Sequence, residues 1–305
     1  MISYLTRRSA YLVLSVFVVL TIVFFVFRLA PGDPAQLIAG QQTKEDVERV
    51  REYLGLNDPV LVQYANYMRN LLQGKLGRSA ILQKDVGKTI AQKIPATLLL
   101  VGVSMVLTVL VGVPLGVISS THVQSMLDYV VICGVVALLA IPNFWLGLLL
   151  MNLLSVQWGL LPTFGFRGLA YVIMPCLAVS ARLIAIATRM TRSSMLEVLG
   201  EEYVTVARSK GLSESRVIYK HALRSALIPV TTELGLQFGY LFGGSIVIEV
   251  LFGWPGLGRL LMNAINMRDY SLVQGITVVY AAVFLAINLI IDVLYVYMDP
   301  RIRYT

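Results

Sequence analysis

Long apolar runs alternate with polar interruptions along the chain. Six runs are long enough for a helix to cross a hydrocarbon layer of about 30 Å, which takes about 20 residues. They run from about Tyr11 to Leu29, Thr97 to Ser119, Tyr129 to Val156, Tyr171 to Arg189, Val230 to Phe252 and Leu272 to Met298. The third has Pro142 and Asn143 near its middle, which predicts a kink, and Gly134, Ala137, Ala140 and Gly147 offer close helix approach. Between the first two runs, residues 30–95 are too polar to span. Within them EDVERVREYLGL places Val47, Val50, Tyr53 and Leu54 on one side, and Asn57, Asp58 and Pro59 break that helix. VLVQYANYMRNLLQGKLGRS then places Tyr64, Tyr67, Met68, Leu71 and Leu72 on a common face, suited to the membrane surface or a channel mouth. SSTHVQSMLD leaves room only for a tight turn, and WGLLPTFGFRG and GWPGLGRLLMNAINMRDY read as outward loops.

The longest polar interruption of the second half is GEEYVTVARSKGLSESRVIYKHALRSALIP, residues 200–229. Glu201 and Glu202 at the start and Arg208 and Lys210 at the end complement the dipole of a helix over about Glu201 to Lys210, and Gly211 supplies the left-handed residue that stops it. Ser213 and Glu214 begin a second helix carrying Arg216, Lys220 and Arg224 toward Pro229. On the first helix Tyr203, Val206, Ala207 and Lys210 fall on one side, a small apolar face on a charged segment. Such a face calls for a protein partner outside the bilayer.

Composition agrees with the runs: 57% hydrophobic and 14% charged residues, with a mean hydropathy of +0.76, describe an all-α integral membrane protein. The formal charge of +8 comes without aromatic-basic interleaving, so nucleic acid is set aside as a partner and membrane lipid is not. Arg7 and Arg8 precede a first run too long for a signal-peptide core, which reads as a retained span. With them, Arg189, Arg192, Arg208, Lys210, Arg216, Lys220, Arg224, Arg301 and Arg303 fall on one side of the membrane, so both termini and the 200–229 loop are expected in the cytoplasm. Cys133 and Cys176 are far apart in apolar stretches, and His122 and His221 are solitary, so neither a disulfide framework nor a metal site is expected.

Polar groups inside spans are costly and need a reason. Glu233 and Gln237 sit four apart on one helical face, which could line a translocation pathway or bond to neighbouring helices. Asn143 at the kink is a further pathway candidate. Glu249, beside GWPGLG, suits a gate contact or a helix cap, and Asp292 suits a structural pair with Arg182. Gly243-Gly244-Ser245 lacks a base within a span, and no H-E-x-x-H or phosphate-binding G-x-x-x-x-G-K-[ST] is present. An enzyme is not expected, and any use of ATP must be borrowed.

The 200–229 loop resembles the cytoplasmic loop of ABC importer permeases of the dipeptide, oligopeptide and nickel family, with Tyr203, Ala207, Arg208, Lys210, Gly211, Leu212, His221, Ala222, Leu223, Arg224 and Pro229 standing where that pattern has them. Thr205 and Val206 depart from the general importer motif in the way this subgroup does. LAPGDPA, LLPTFG, TRSSMLEVL, VIEVLFGWPGLGRLL, MRDYSLVQ and IDVLYVYMDPRIRY extend the likeness over nearly the whole length and point to the first of two permeases. The resemblance implies a second homologous permease, two ABC ATPase subunits and an extracytoplasmic solute-binding protein. It implies no cofactor on this chain, ATP and Mg2+ residing on the ATPases. Glu202, Tyr203, Val206, Ala207, Arg208, Lys210 and Gly211 are the expected ATPase-docking residues. The expected organisation is residues 1–29 as cytoplasmic N-terminus and first span, 30–95 as an extracytoplasmic helical loop, and 96–305 as a five-helix core with the docking loop between spans four and five. The location is a bacterial-type inner membrane and the solute a di- or oligopeptide. A nickel chelate or glutathione within the same family, or a self-sufficient secondary transporter, are the alternatives.

Overall fold

A computed structural model of the chain describes the backbone of residues 2–29, 35, 43–53, 55–79 and 81–298, and the side chains of 13–26, 35, 43–49, 51–52, 55–79 and 81–291. Among these residues the regular structure is helical, with one isolated antiparallel bridge between Arg78 and Asp85. Helices α1 (Ile2–Leu29), α2 (Lys44–Tyr53), α3 (Val60–Leu72), α4 (Val86–Ala91) and α5 (Ile94–Thr121) come first. Then follow α6 (Met126–Ala140), α7 (Asn143–Leu150) with a π-helical end at Met151–Gln157, and α8 (Ala170–Leu199). The 200–229 region supplies α9 (Glu202–Ser209) and α10 (Glu214–Arg216), and a π-helical segment, Val217–Ala222, leads into α11 (Leu223–Gly244). Helices α12 (Ile246–Leu251), α13 (Leu257–Asn266) and α14 (Tyr270–Met298) complete the order.

Among the described residues three helices are long and apolar enough to cross a membrane, Val86–Thr121, Ala170–Leu199 and Tyr270–Ile291, and the pair α6–α7 is a fourth if counted as one span. The described part of α1 holds a shorter apolar stretch, Val13–Val26. The kink expected at Pro142 is a break with a bend of 103° between Met126–Ala140 and Asn143–Gln157. Pro142 has no N–H to give and Ile141 before it is extended, with ψ 122, so the helix stops and restarts. The fifth apolar run departs further from expectation. Its helix starts at Leu223, before the apolar run, passes through Pro229, and ends at Gly244, where Ser245 separates it from α12.

The chain divides into two compact units, one of residues 1–96 and 256–285 and one of 97–255 and 286–303. In the first, Phe24 of α1 packs edge-on to Tyr64 at 5.2 Å and lies 5.4 Å from Tyr67, and Thr21 and Tyr64 share a hydrogen bond of 2.7 Å. Tyr64 and Tyr67 of the expected apolar face of α3 thus lie against α1, whereas Leu72 is 91% exposed. Asp269 caps α14 through the Leu272 N–H at 3.2 Å and accepts a bond from Ser79, which ties the 77–86 turn to that helix. The segment read as an outward loop contains α13, whose Leu257 and Ala264 are buried.

In the second unit α8 is central and is buried along most of its length. Gly112 and Gly116 of α5 lie directly on it: a Cβ at Gly112 would stand 2.7 Å from the Ala187 Cβ, and one at Gly116 2.5 Å from the Thr191 Cβ. Of the small residues singled out on the third run, Gly147 touches Leu251 and Phe252, but Gly134, Ala137 and Ala140 are exposed. Trp254 is fully buried against Phe166 at 4.7 Å, and Gly165 donates to the Phe252 carbonyl at 2.9 Å, so the loop after the π-helical end of α7 packs on the one after α12.

Candidate functional site

Two short helices meet in the 200–229 loop at the turn the sequence predicts. Helix α9 runs Glu202–Ser209 with Lys210 as its C-cap, and Gly211 has φ +76, the left-handed conformation that lets the chain reverse. Nothing lies within 4 Å of a Cβ built at Gly211, so its requirement is conformational rather than spatial. Ser213 occupies the N-cap position of the second helix through its backbone, whose carbonyl accepts from Arg216 and Val217, but its side chain makes no cap bond. Across the turn Arg208 donates to Glu214 at 2.7 and 3.2 Å. This bond holds the Glu214 carboxyl below its ordinary range and raises the Arg208 guanidinium. The bridge's contribution is therefore complete above the ordinary carboxylate pKa and is lost as pH falls through the lowered one.

The two helices are joined by an apolar seam. Val204, Ala207 and Val217 form a buried cluster, with Val198, Leu199 and Leu212 packed against it. Ala207, at 7% exposure, thus faces its own chain, whereas Tyr203 and Val206 are 44% and 51% exposed, with Glu202, Arg208 and Lys210 exposed beside them. The face expected from spacing therefore splits. Tyr203, Val206 and Lys210 point outward, Ala207 inward, and Val204, which was not singled out, is the buried member. Period alone defines a face; the second helix decides which side of it is covered.

From this seam the loop continues into both neighbouring helices. Val117, Met195, Ala222 and Ala226 form a second buried cluster joining α5, α8, the π-helical segment and α11. The π turn at Val217–Ala222 carries the second helix of the loop without a stop into α11, which bears Glu233 and Gln237. Those two are brought together: the Gln237 amide donates to the Glu233 carboxylate at 2.9 Å, half-buried. Glu249 belongs to another cluster, fully buried, accepting from Thr97 at 2.7 Å and lying 3.5 Å from the Ser245 hydroxyl at the α11–α12 break. Asn143 opens α7 immediately after the 103° break. Arg182 is exposed, and its suggested partner Asp292 lies outside the described side chains.

The polar group that sequence reasoning missed is Asp128. It is 2% exposed and receives both arms of the Arg192 guanidinium at 2.9 Å. The Ser119 hydroxyl also donates to it, and the Gln124 N–H does so at 3.1 Å. Arg192 had signalled only which side of the membrane it occupies.

Residues 112–304 match the family described as "Binding-protein-dependent transport system inner membrane component", and residues 1–101 match its N-terminal counterpart, "Binding-prot-dependent transport system membrane comp, N-term". The glutathione transport system permease protein GsiC of Escherichia coli (strain K12) is 42% identical over 305 residues, 100% of both chains. Its counterpart in Salmonella typhi is equally similar, at 42% over 305 residues. Among solved structures, an inward-facing MetNI methionine ABC transporter aligns with a TM-score of 0.60 at 16% identity, over 69% of this chain and 96% of that one. An amino acid ABC transporter crystallised with histidines gives a TM-score of 0.51 at 16% identity, over 71% and 95%. At that identity the likeness is one of fold.

Proposed function

We propose, for a chain that belongs to the binding-protein-dependent transport system inner membrane component family, a solute, a membrane arrangement and a docking surface. Membership makes it the permease subunit of an ABC importer, a multi-pass inner-membrane protein that works with ATPase and solute-binding subunits. The solute we assign is a di- or oligopeptide. Glutathione, itself a short peptide, is the reading favoured by the 42% identity to permeases named for it. The observation that carries the coupling role is the two-helix loop, whose buried Val204–Ala207–Val217 seam leaves Tyr203 and Val206 outward on a rigid base.

In this arrangement the chain crosses the membrane six times. Residues 1–29 form the N-terminus and first span, 30–95 an extracytoplasmic loop, and 96–305 the remaining core. Both termini and the 200–229 loop are cytoplasmic. Glu202, Tyr203, Val206, Arg208 and Lys210 meet the ATPase, while Ala207 and Gly211 hold the shape of the contact. A second homologous permease completes the channel, ATP and Mg2+ stay on the ATPases, and Glu233, Gln237, Asn143 and Glu249 are assigned to the pathway or its gate. The topology has a direct check. In a variant lacking Cys133 and Cys176, a cysteine at Gln73 is expected to react with an impermeant reagent from outside the cell and one at Ser209 only from the cytoplasmic side. Labelling of both from one side refutes the span count.

Reconstitution tests the function. Copurification from native membranes is expected to bring down a six-span partner and two nucleotide-binding subunits. Liposomes holding that complex are expected to import a labelled dipeptide or glutathione only with ATP and the binding protein. Uptake by the lone chain, driven by an ion gradient, would instead make it a secondary transporter.

A further inference from the structure

The buried Asp128–Arg192 cluster lies in the second unit and includes none of the residues assigned to docking, and its geometry exceeds what a surface turn needs. Asp128 sits in the first turn of α6, three residues after the N-cap Ser125, whose hydroxyl accepts the Asp128 N–H at 3.2 Å. One carboxylate oxygen takes the Arg192 Nε–H at 2.9 Å and the Ser119 hydroxyl, and the other takes the second guanidinium arm at 2.9 Å and the Gln124 N–H at 3.1 Å. Gln124 adopts φ +59, an uncommon conformation for a residue with a side chain, and its N–H is held on that carboxylate. The donors thus come from the end of α5, the turn and α8. A fork-shaped, charge-assisted pair of this kind fixes orientation as well as distance.

Arg192 is on the same helix as Met195, Val198 and Leu199, and these pack on Val117 of α5, on Ala222 of the π-helical segment and on the Val204–Ala207–Val217 seam. The docking helix α9 begins directly after this end of α8. A force on α9 therefore meets α8 at its last turns, and the Asp128 clamp is the polar fastening that joins those turns to the ends of α5 and α6.

We propose that Asp128 and Arg192 are positioning residues for coupling: their clamp makes the 119–128 turn one rigid body with the docking arm, so that displacement of α9 moves the cytoplasmic ends of α5, α6 and α8 together. This rests on the ATPase-docking reading of the 200–229 loop. The clamp stays closed through the transport cycle and acts as a strut.

Spin labels at Val123, which is 47% exposed, and at the exposed Glu201 report the strut directly in the reconstituted importer with Cys133 and Cys176 replaced. The expected result is one narrow distance distribution, unchanged between nucleotide-free and ATP-bound complexes. Arg192→Lys keeps the charge and loses the fork. It is expected to broaden or shift that distribution and to lower solute imported per ATP hydrolysed, by roughly 2- to 30-fold for a coupling residue of this kind. Gly134→Ala, on α6 outside the clamp and with nothing within 4 Å of its Cβ, is expected to stay near wild type in both. A wild-type distance that changes with nucleotide overturns the strut. So does an Arg192→Lys complex that is scarcer but has wild-type distance and stoichiometry, since that is the mark of a merely structural pair. Loss of ATPase subunits from the wild-type complex during purification would count against the docking reading and is seen before any distance is measured.

Discussion

Gly116→Leu is expected to destabilise the packing of the second unit. A Cβ at this position would stand 2.5 Å from the Thr191 Cβ and 2.8 Å from the Thr188 carbonyl oxygen. Turning the Thr191 side chain relieves neither contact, because one is to Cβ and one to backbone, so α5 and α8 must separate. Overpacking of this kind costs about 1–3 kcal/mol, occasionally more. The cost here is at the upper end, because separation also opens Gly112 against Ala187 and the Val117–Met195 cluster beside it. Gly134→Leu is the control: it stands in another span with nothing within 4 Å of its Cβ. Thermal inactivation of the detergent-solubilised importer separates the two. A large drop in midpoint for Gly116→Leu and little change for Gly134→Leu is expected, and equal stability of both variants refutes the close α5–α8 contact.

That pair of glycines shows what the sequence made legible and what it did not. Gly112-Val113-Pro114-Leu115-Gly116 is a G-x-x-x-G spacing in an apolar helix, the signal by which helices approach closely in membranes. The small residues Gly134, Ala137 and Ala140 carry a similar signal and are exposed. Spacing marks a helix as able to approach another without saying which glycines are met. The same limit applied at α9, where residues at three- and four-residue spacing formed a face but only Val217, from the next helix, determined that Val204 and Ala207 were covered. Helix α13 also had a readable signal in Leu257, Leu260, Leu261 and Ala264, hidden behind the Gly and Pro residues that open its segment. The turn at Gly211 was legible for the opposite reason, since a left-handed residue between two helices is a local requirement that one residue type meets at least cost. Asp128 gave only the local signal of a helix start, three residues after Ser125; that it closes a buried ion pair depends on a partner 64 residues away.

The largest functional effect is expected from Val206→Asp, and its neighbour Ala207→Asp separates docking from folding. Val206 is 51% exposed, next to Tyr203 at 44%, so an aspartate there leaves the chain's own packing intact and places a charge at the centre of the outward face. A central hot-spot residue carries about 2 kcal/mol or more, and an aspartate in place of Val206 adds an unpaired charge buried by the contact. Such a loss would weaken ATPase binding by roughly 30-fold, since about 1.4 kcal/mol is a factor of ten. Ala207 is 7% exposed among Val204, Val217, Leu199 and Leu212, so Ala207→Asp buries a carboxylate without a partner and opens the two-helix seam. Gly211→Val lies between the two: it meets no neighbour, but the left-handed backbone costs about 1–2 kcal/mol with a β-branched side chain, and Gly211→Asn should cost less. Protease sensitivity of the loop and retention of the ATPases after purification are the paired measurements. Val206→Asp is expected to lose the ATPases with a protease-resistant loop, and Ala207→Asp to lose them with a sensitive one. If Val206→Asp retains its ATPases and imports solute normally, the outward face of α9 is not the docking surface, and the loop holds only the ends of its two spans.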